Sequence, residues 1–183
     1  MQESQRLSRM VGNVLDFSRM ESGRKTYDFA SVDLGELVEE TVAEFRGLFT
    51  QGQFQLEIQI QPDLPQLKAD RDAISTTVAN LISNAIKYSK ERREIRIRVE
   101  RSRSVQSAEV ADRGMGVPAE EHARIFEKFH RASSAGETAT GTGLGLALAK
   151  GVAEAHHGSI ACRSRRNGGT AFTLRLPQGE MET

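Results

Sequence analysis

Asn80, Asn84, Lys87 and Tyr88 sit within one short stretch, and spacings of four and three put the first three on one face of a helix. Asparagine is mildly unfavourable inside a helix, so a pair of them opposite an apolar stripe points to a purpose beyond folding. An amide oxygen is a hard ligand suited to Mg²⁺, and a lysine ammonium can meet a phosphate as a point charge. A second group, Gly141, Gly143 and Gly145 with Thr142 and Leu144 between them, stands directly before an apolar-periodic run. Bare backbone N–H groups at such a helix start can receive phosphate oxygens. The alternate spacing does not fit G-x-G-x-x-G, and no Gly-Lys-Ser/Thr occurs, so a Rossmann dinucleotide site and a P-loop are both disfavoured. Taken singly, a polar stripe is usually solvated and glycines usually cap loops; it is the company they keep that matters.

The helix bearing the asparagines is read from about Asp70 to Tyr88, with Ile74, Val78, Leu81, Ile82, Ala85 and Ile86 facing inward. Before it, Leu7, Met10, Val11, Val14, Leu15 and Phe17 recur at helical spacing until Ser22-Gly23, a helix stop. Asp33 and Glu36 have the spacing of a capping box ahead of the stripe Leu34, Leu37, Val38, Val42 and Phe45. Phe54 to Ile60 alternates like a strand with one buried face, closed by Pro62 and Pro65. Ile95 to Val99 and a shorter run ending at Asp112 are further strands, the first with an arginine-rich face that is expected to be solvated. Pro118 to Phe129 holds a short helical pattern, Ala132 to Thr142 has no periodicity and is expected to be a mobile loop, and Leu144 to His156 is a helix. Two strands, Ile160 to Arg163 and Ala171 to Leu176, flank a turn at Asn167-Gly168-Gly169. The sum is an α+β chain, a two-layer α/β sandwich with helices on one face of a mixed sheet.

Composition narrows the classes. The 183 residues suffice for one core. Lys+Arg and Asp+Glu both number 25, so there is no global basic footprint for nucleic acid. Cys162 is the only cysteine, which excludes an internal disulfide and fits a reducing compartment, with a buried strand thiol as its ordinary reading. No apolar run approaches a membrane span, and the fragment is expected to be cytoplasmic and without membrane contact.

Five segments in series resemble the sequence boxes of histidine-kinase catalytic domains: Asn80 to Ser89, Asp112-Arg-Gly114-Met-Gly116, Phe126-Glu-Lys-Phe129, Gly141 to Gly145, and Gly168-Gly169-Thr170. The resemblance covers residues 30 to 177 and implies the Bergerat ATP-binding fold shared with gyrase-type, chaperone and mismatch-repair ATPases. By position it implies Asn84 as the Mg²⁺ ligand, Asn80, Lys87 and Tyr88 along the phosphates and ribose, and Asp112 as acceptor of the adenine amino group. It further implies that Gly114 and Gly116 pass close to the base and that Phe126 and Phe129 anchor the start of a lid. Gly141, Thr142, Gly143, Leu144 and Gly145 would wrap the phosphates, and Thr170 would support Asp112 through water. Lys128 or Arg131 would reach the γ-phosphate, and the sequence does not choose between them. Two residues depart from the pattern: His130 stands where Tyr is common, and Arg113 brings a bulky cation into the first glycine box.

The resemblance implies ATP and Mg²⁺ as cofactors and phosphotransfer to a histidine, with Asn80 and Lys87 as catalytic residues. ATPases of the same fold carry Glu at the position of Asn80, and an amide cannot take a proton from water near neutral pH. An ATPase or nucleotide-sensing module is the alternative. Residues 1–23 are expected to be the end of a dimerisation and phosphotransfer hairpin, 24–30 a linker, 31–178 the ATP-binding domain and 179–183 a tail. The acceptor histidine is expected upstream, because His122, His130, His156 and His157 all follow the first box, and His156-His157-Gly158 is read as an ordinary helix end. Implied partners are that upstream domain, a response regulator receiver domain and a second copy in a full-length homodimer.

Overall fold

The computed structural model describes residue 12 and residues 14–89, 92–133 and 142–178. Gly141 and most of the Ala132–Thr142 loop, the first eleven residues and the 179–183 tail lie outside the described residues.

A helix over residues 14–21, α1, leads through an extended segment into the domain. Strand β1 (Ala30–Val32) is followed by α2 (Leu34–Glu44), whose first turn is held by the Asp33 carboxylate accepting the Glu36 N–H at 3.0 Å. Then come α3 (Arg46–Gln51), β2 (Gln55–Ile60), β3 (Leu67–Ala69) and the long α4 (Arg71–Tyr88). Asp70 caps α4 by accepting the Ala73 N–H at 2.9 Å. A hairpin of β4 (Glu94–Ser102) and β5 (Val105–Asp112), two short 3-10 turns, α5 (Gly145–Ala155), β6 (Ser159–Ser164) and β7 (Thr170–Pro177) complete the chain.

The main sheet has the order β2-β4-β5-β7-β6, with β2 parallel to β4 and the other neighbours antiparallel. Alternation explains its two faces: Ile95, Ile97 and Val99 point into the helical layer, while Arg96 and Arg98 lie on the other side. That outer face is more than a solvated surface. Glu109 is buried there between Arg96 at 3.2 Å and Arg163 at 2.7 Å, and although burial alone would raise its carboxyl, the two guanidiniums hold it below the ordinary range.

Two sequence expectations are corrected, and one strand pair is added. The hairpin is longer than the alternation suggested and turns at Arg103, a non-glycine residue with φ of 57°. The 118–129 pattern forms the 3-10 turns Ala119–Glu121 and Arg124–Phe126 in place of a helix. The pair β1-β3 was not expected at all: three-residue strands carry too little period to be read.

The core fixes the direction of α4. Ile74, Val78, Leu81 and Ile82 are fully buried, and each contributes about 1.5–3 kcal/mol by leaving water. Rotating the helix by one residue would forfeit several of these, so Asn80, Asn84 and Lys87 are held on a separate, half-buried face.

Candidate nucleotide-binding site

Two clusters form at the ends of the polar face of α4. At the C-terminal end, Asp112 is 4 % exposed at the close of β5. Its Oδ1 accepts the Gly114 N–H at 2.7 Å and the Thr170 N–H at 3.3 Å. Thr170 therefore reaches Asp112 directly through its backbone. Burial raises the Asp112 carboxyl above its ordinary range, offset in part by those N–H groups and by Arg165, whose guanidinium also donates to the Asp112 carbonyl at 2.7 Å.

Glycine is required at two places here. A Cβ on Gly114 would collide with the Tyr88 carbonyl, and one on Gly169, at φ 90°, with the Asp112 carbonyl. The backbone strands thus approach more closely than any side chain permits, leaving Asp112 framed by main chain. Gly116 lies against the same Gly169, 3.6 Å from its carbonyl oxygen to an idealised Cβ. The hydroxyl of Tyr88 accepts from Lys87 Nζ at 2.9 Å, which ties these two side chains to each other.

At the other end, about two turns or roughly 12 Å along α4, the Asn80 amide lies beside the start of α5, 3.6 Å from where a Cβ on Gly145 would be. Leu144 is buried there, and its N–H donates to the Thr142 hydroxyl at 3.3 Å. The Gly143 carbonyl accepts the Phe129 N–H at 3.2 Å, joining the glycine run to the phenylalanine box. Asn84 sits half-buried between the two ends. Among the described residues no group of three or more His, Cys, Asp or Glu side chains could hold a metal ion.

The phenylalanine box divides differently from the expectation. Phe126 is buried and meets Phe172 edge-on at 6.3 Å, anchoring the segment in the core. Phe129 is 67 % exposed with φ of 60°, and its ring meets Phe17 of α1 edge-on at 6.4 Å. Lys128 is likewise drawn to α1, where it pairs with Glu21 at 2.5 Å and lies 5.0 Å over the Phe17 ring. Arg131 is exposed and engaged in a contact of its own.

The sequence reading missed His156. It is not an ordinary helix end: the ring is 5 % exposed, its Nε2 accepts the Asp70 N–H at 2.9 Å, and its Nδ1 donates to the Val152 carbonyl at 2.8 Å. No local pattern signals a bond across 86 residues of chain. Cys162 is half-buried in β6, where burial and then the Asp112 charge push the thiol up to about 12.

Among the described residues no helix is long and apolar enough to cross a membrane. The family described as "Histidine kinase-, DNA gyrase B-, and HSP90-like ATPase" matches residues 69–180. The sensor-like histidine kinase SenX3 of Mycolicibacterium smegmatis is 37% identical over 181 residues, covering 96% of this chain and 46% of SenX3. Full-length ShkA in complex with AMPPNP superposes with a TM-score of 0.83 at 23% identity, covering 96% of this chain and 36% of ShkA. ThkA in complex with the response regulator TrrA gives a TM-score of 0.78 at 24% identity, covering 100% of this chain and 50% of the matched chain. At those identities the two structures speak for the fold. This chain spans less than half the length of SenX3. With residues 69–180 matched and a polar face on α4 closed at both ends by glycine-lined backbone, the chain belongs to the histidine kinase-, DNA gyrase B- and HSP90-like ATPase family, as an ATP-binding catalytic domain homologous to those of sensor histidine kinases.

Proposed function

We propose that the chain is the nucleotide-binding catalytic part of a sensor histidine kinase, moving the γ-phosphate of Mg-ATP to a histidine on a dimerisation hairpin, from which a response regulator receiver domain takes it. The observation that carries this reading is the pairing of the two ends of α4: a main-chain-framed carboxylate at one and an amide beside a glycine run at the other.

Asp112 accepts the adenine amino group, and would repel the carbonyl that guanine presents there. Lys87 meets a phosphate, with Tyr88 holding its ammonium. The Asn80 amide has no basic lone pair near neutral pH, so it orients the phosphates without activating water. That favours transfer to a supplied nucleophile over hydrolysis. The donor set suits magnesium, because this ion binds through few protein ligands together with phosphate oxygens and water. Asn84 is the residue that would hold it, where the ion would neutralise phosphate charge. Thr142, Leu144 and Gly145, with Gly141 and Gly143, line the phosphates, and Gly114 and Gly116 line the base. Lys128, which pairs with Glu21, and Arg131 are the two candidates for the γ-phosphate.

Under this reading residues 1–23 belong to the hairpin, 31–178 form the catalytic domain, and the full-length protein is a homodimer working in the cytoplasm. The reading is tested by calorimetric titration with ATP and GTP, with and without Mg²⁺. ATP is expected to bind more tightly than GTP, and equal affinity would remove Asp112 from its role.

A further inference from the structure

His156 sits at a junction that the nucleotide site does not use. Its Nε2 accepts the N–H of Asp70, the residue that caps α4. The other carboxylate oxygen of Asp70 accepts the Asp28 N–H at 2.9 Å. Tyr27 and Phe29, on either side of Asp28, pack their rings on the imidazole at 5.4 and 4.8 Å. One side chain and one cap therefore hold three parts of the chain: the end of α5, the first turn of α4, and the extended segment that descends from α1.

That segment is joined to α1 as well. Lys25 pairs with Asp16 at 3.1 Å, and the N–H groups of Arg24 and Lys25 both donate to the Arg19 carbonyl. Lys25, Asp16, Asp70 and Val152 line a cleft of about 200 Å³ whose wall also includes Asn80. α1, the extended segment and the polar face of α4 thus border one cleft.

We propose that His156 is a positioning residue that couples docking of residues 27–29 to nucleotide binding along α4. The bonding pattern requires the Nδ1–H tautomer, with a lone pair on Nε2, and any change that undocks Tyr27 and Phe29 exposes the cap of α4. By reciprocity, nucleotide that favours the docked α4 also favours the docked segment. This rests on the ATP-binding reading above, and its test has one arm that does not.

The whole chain is compared as wild type, His156→Leu, His156→Gln and the double variant Tyr27→Ala, Phe29→Ala. Loss of one buried acceptor is expected to weaken Mg-ATP binding about 5-fold in His156→Leu. Gln retains an acceptor for the Asp70 N–H and is expected to recover most of that loss, while the double variant, which changes no residue assigned to the nucleotide, is expected to weaken binding by a similar factor. Hydrogen exchange without nucleotide supplies the independent arm: in His156→Leu the amides of Asp28 and Ala73 are expected to speed up together. Wild-type affinity in the folded Leu or double variants, no recovery by Gln, or exchange that rises at one of the two amides alone would overturn the proposal. If the wild type binds no ATP, the nucleotide reading fails, and the exchange arm still decides whether His156 ties residues 27–29 to the cap of α4. If His156→Leu does not fold, the double variant decides it on both readouts.

Discussion

Asp112 carries opposing demands. Burial raises its carboxyl, so the ionised form that the proposed contact with an adenine amino group needs is held against the preference of its surroundings. A folded-state carboxyl raised above its unfolded value stabilises the fold at low pH, and that contribution is lost as pH rises through the folded value. Asp112→Asn removes the titration while keeping an oxygen for the Gly114 and Thr170 N–H groups. Its melting temperature at neutral pH is expected to equal or exceed that of wild type, and the stability gap to narrow on acidification, read by thermal melts across pH. ATP affinity is expected to fall about 10- to 100-fold, the loss of a charge-assisted hydrogen bond. Asn84 makes a separate demand. Asn84→Ala is expected to remove the magnesium dependence of ATP binding with little change in melting temperature, and equal magnesium enhancement in variant and wild type would place the ligand elsewhere.

The glycine positions separate site from scaffold among the secondary elements. Gly169 at the start of β7 is held at φ 90° with the Asp112 carbonyl against it, so Gly169→Ala is expected to cost more than about 1 kcal/mol of stability and to weaken nucleotide binding together with it. Gly47 within α3 has nothing within 4 Å of where a Cβ would stand, so Gly47→Ala is expected to stabilise by up to about 1 kcal/mol and leave binding unchanged. Denaturant melts with calorimetry on both variants distinguish the two. On the outer face of the sheet, Glu109→Gln is expected to destabilise by about 1.5–3 kcal/mol at neutral pH, because two guanidiniums lose their counter-charge. Since the folded carboxyl is depressed, that stabilisation exists above the unfolded value and disappears as pH falls through the folded one, which melts at low pH would read.

For the molecule as a whole, the histidines argue against self-labelling. Both ring nitrogens of His156 are bonded, His122 Nε2 contacts the Val117 carbonyl and Ser164 at 3.0 Å, and the Nε2 of His130 is buried beside Glu121. His157 is exposed, at φ 54° beyond the end of α5. Incubated with labelled ATP, the chain is expected to take up no acid-labile label, because transfer needs a nucleophile in line with the γ-phosphate. Stable label on the chain alone would identify one of the four histidines as an acceptor. The contacts of α1 bear on the same question. Phe17 meets Phe129, Glu21 pairs with Lys128, and Met20 occupies the space a Cβ on Gly151 would need. The helix therefore rests against both the phenylalanine box and α5.

What the sequence determined by itself was local and periodic. The apolar stripe of α4 fixed where Asn80, Asn84 and Lys87 point, the Asp33 cap marked a helix start, and alternation marked the inner faces of β4 and β5. The ordered boxes identified the family because each is a contiguous run whose meaning survives without coordinates. What only the tertiary structure decided was pairing at long range. The direct Thr170 N–H on Asp112, the closeness of Gly114 to Tyr88, the burial of Glu109 between Arg96 and Arg163, and the tie from His156 to Asp70 each join residues tens of positions apart or in different elements. A residue type states which bonds it can make, but the partner is selected by the packing of the helical layer on the sheet, and sequence period carries no record of that distance.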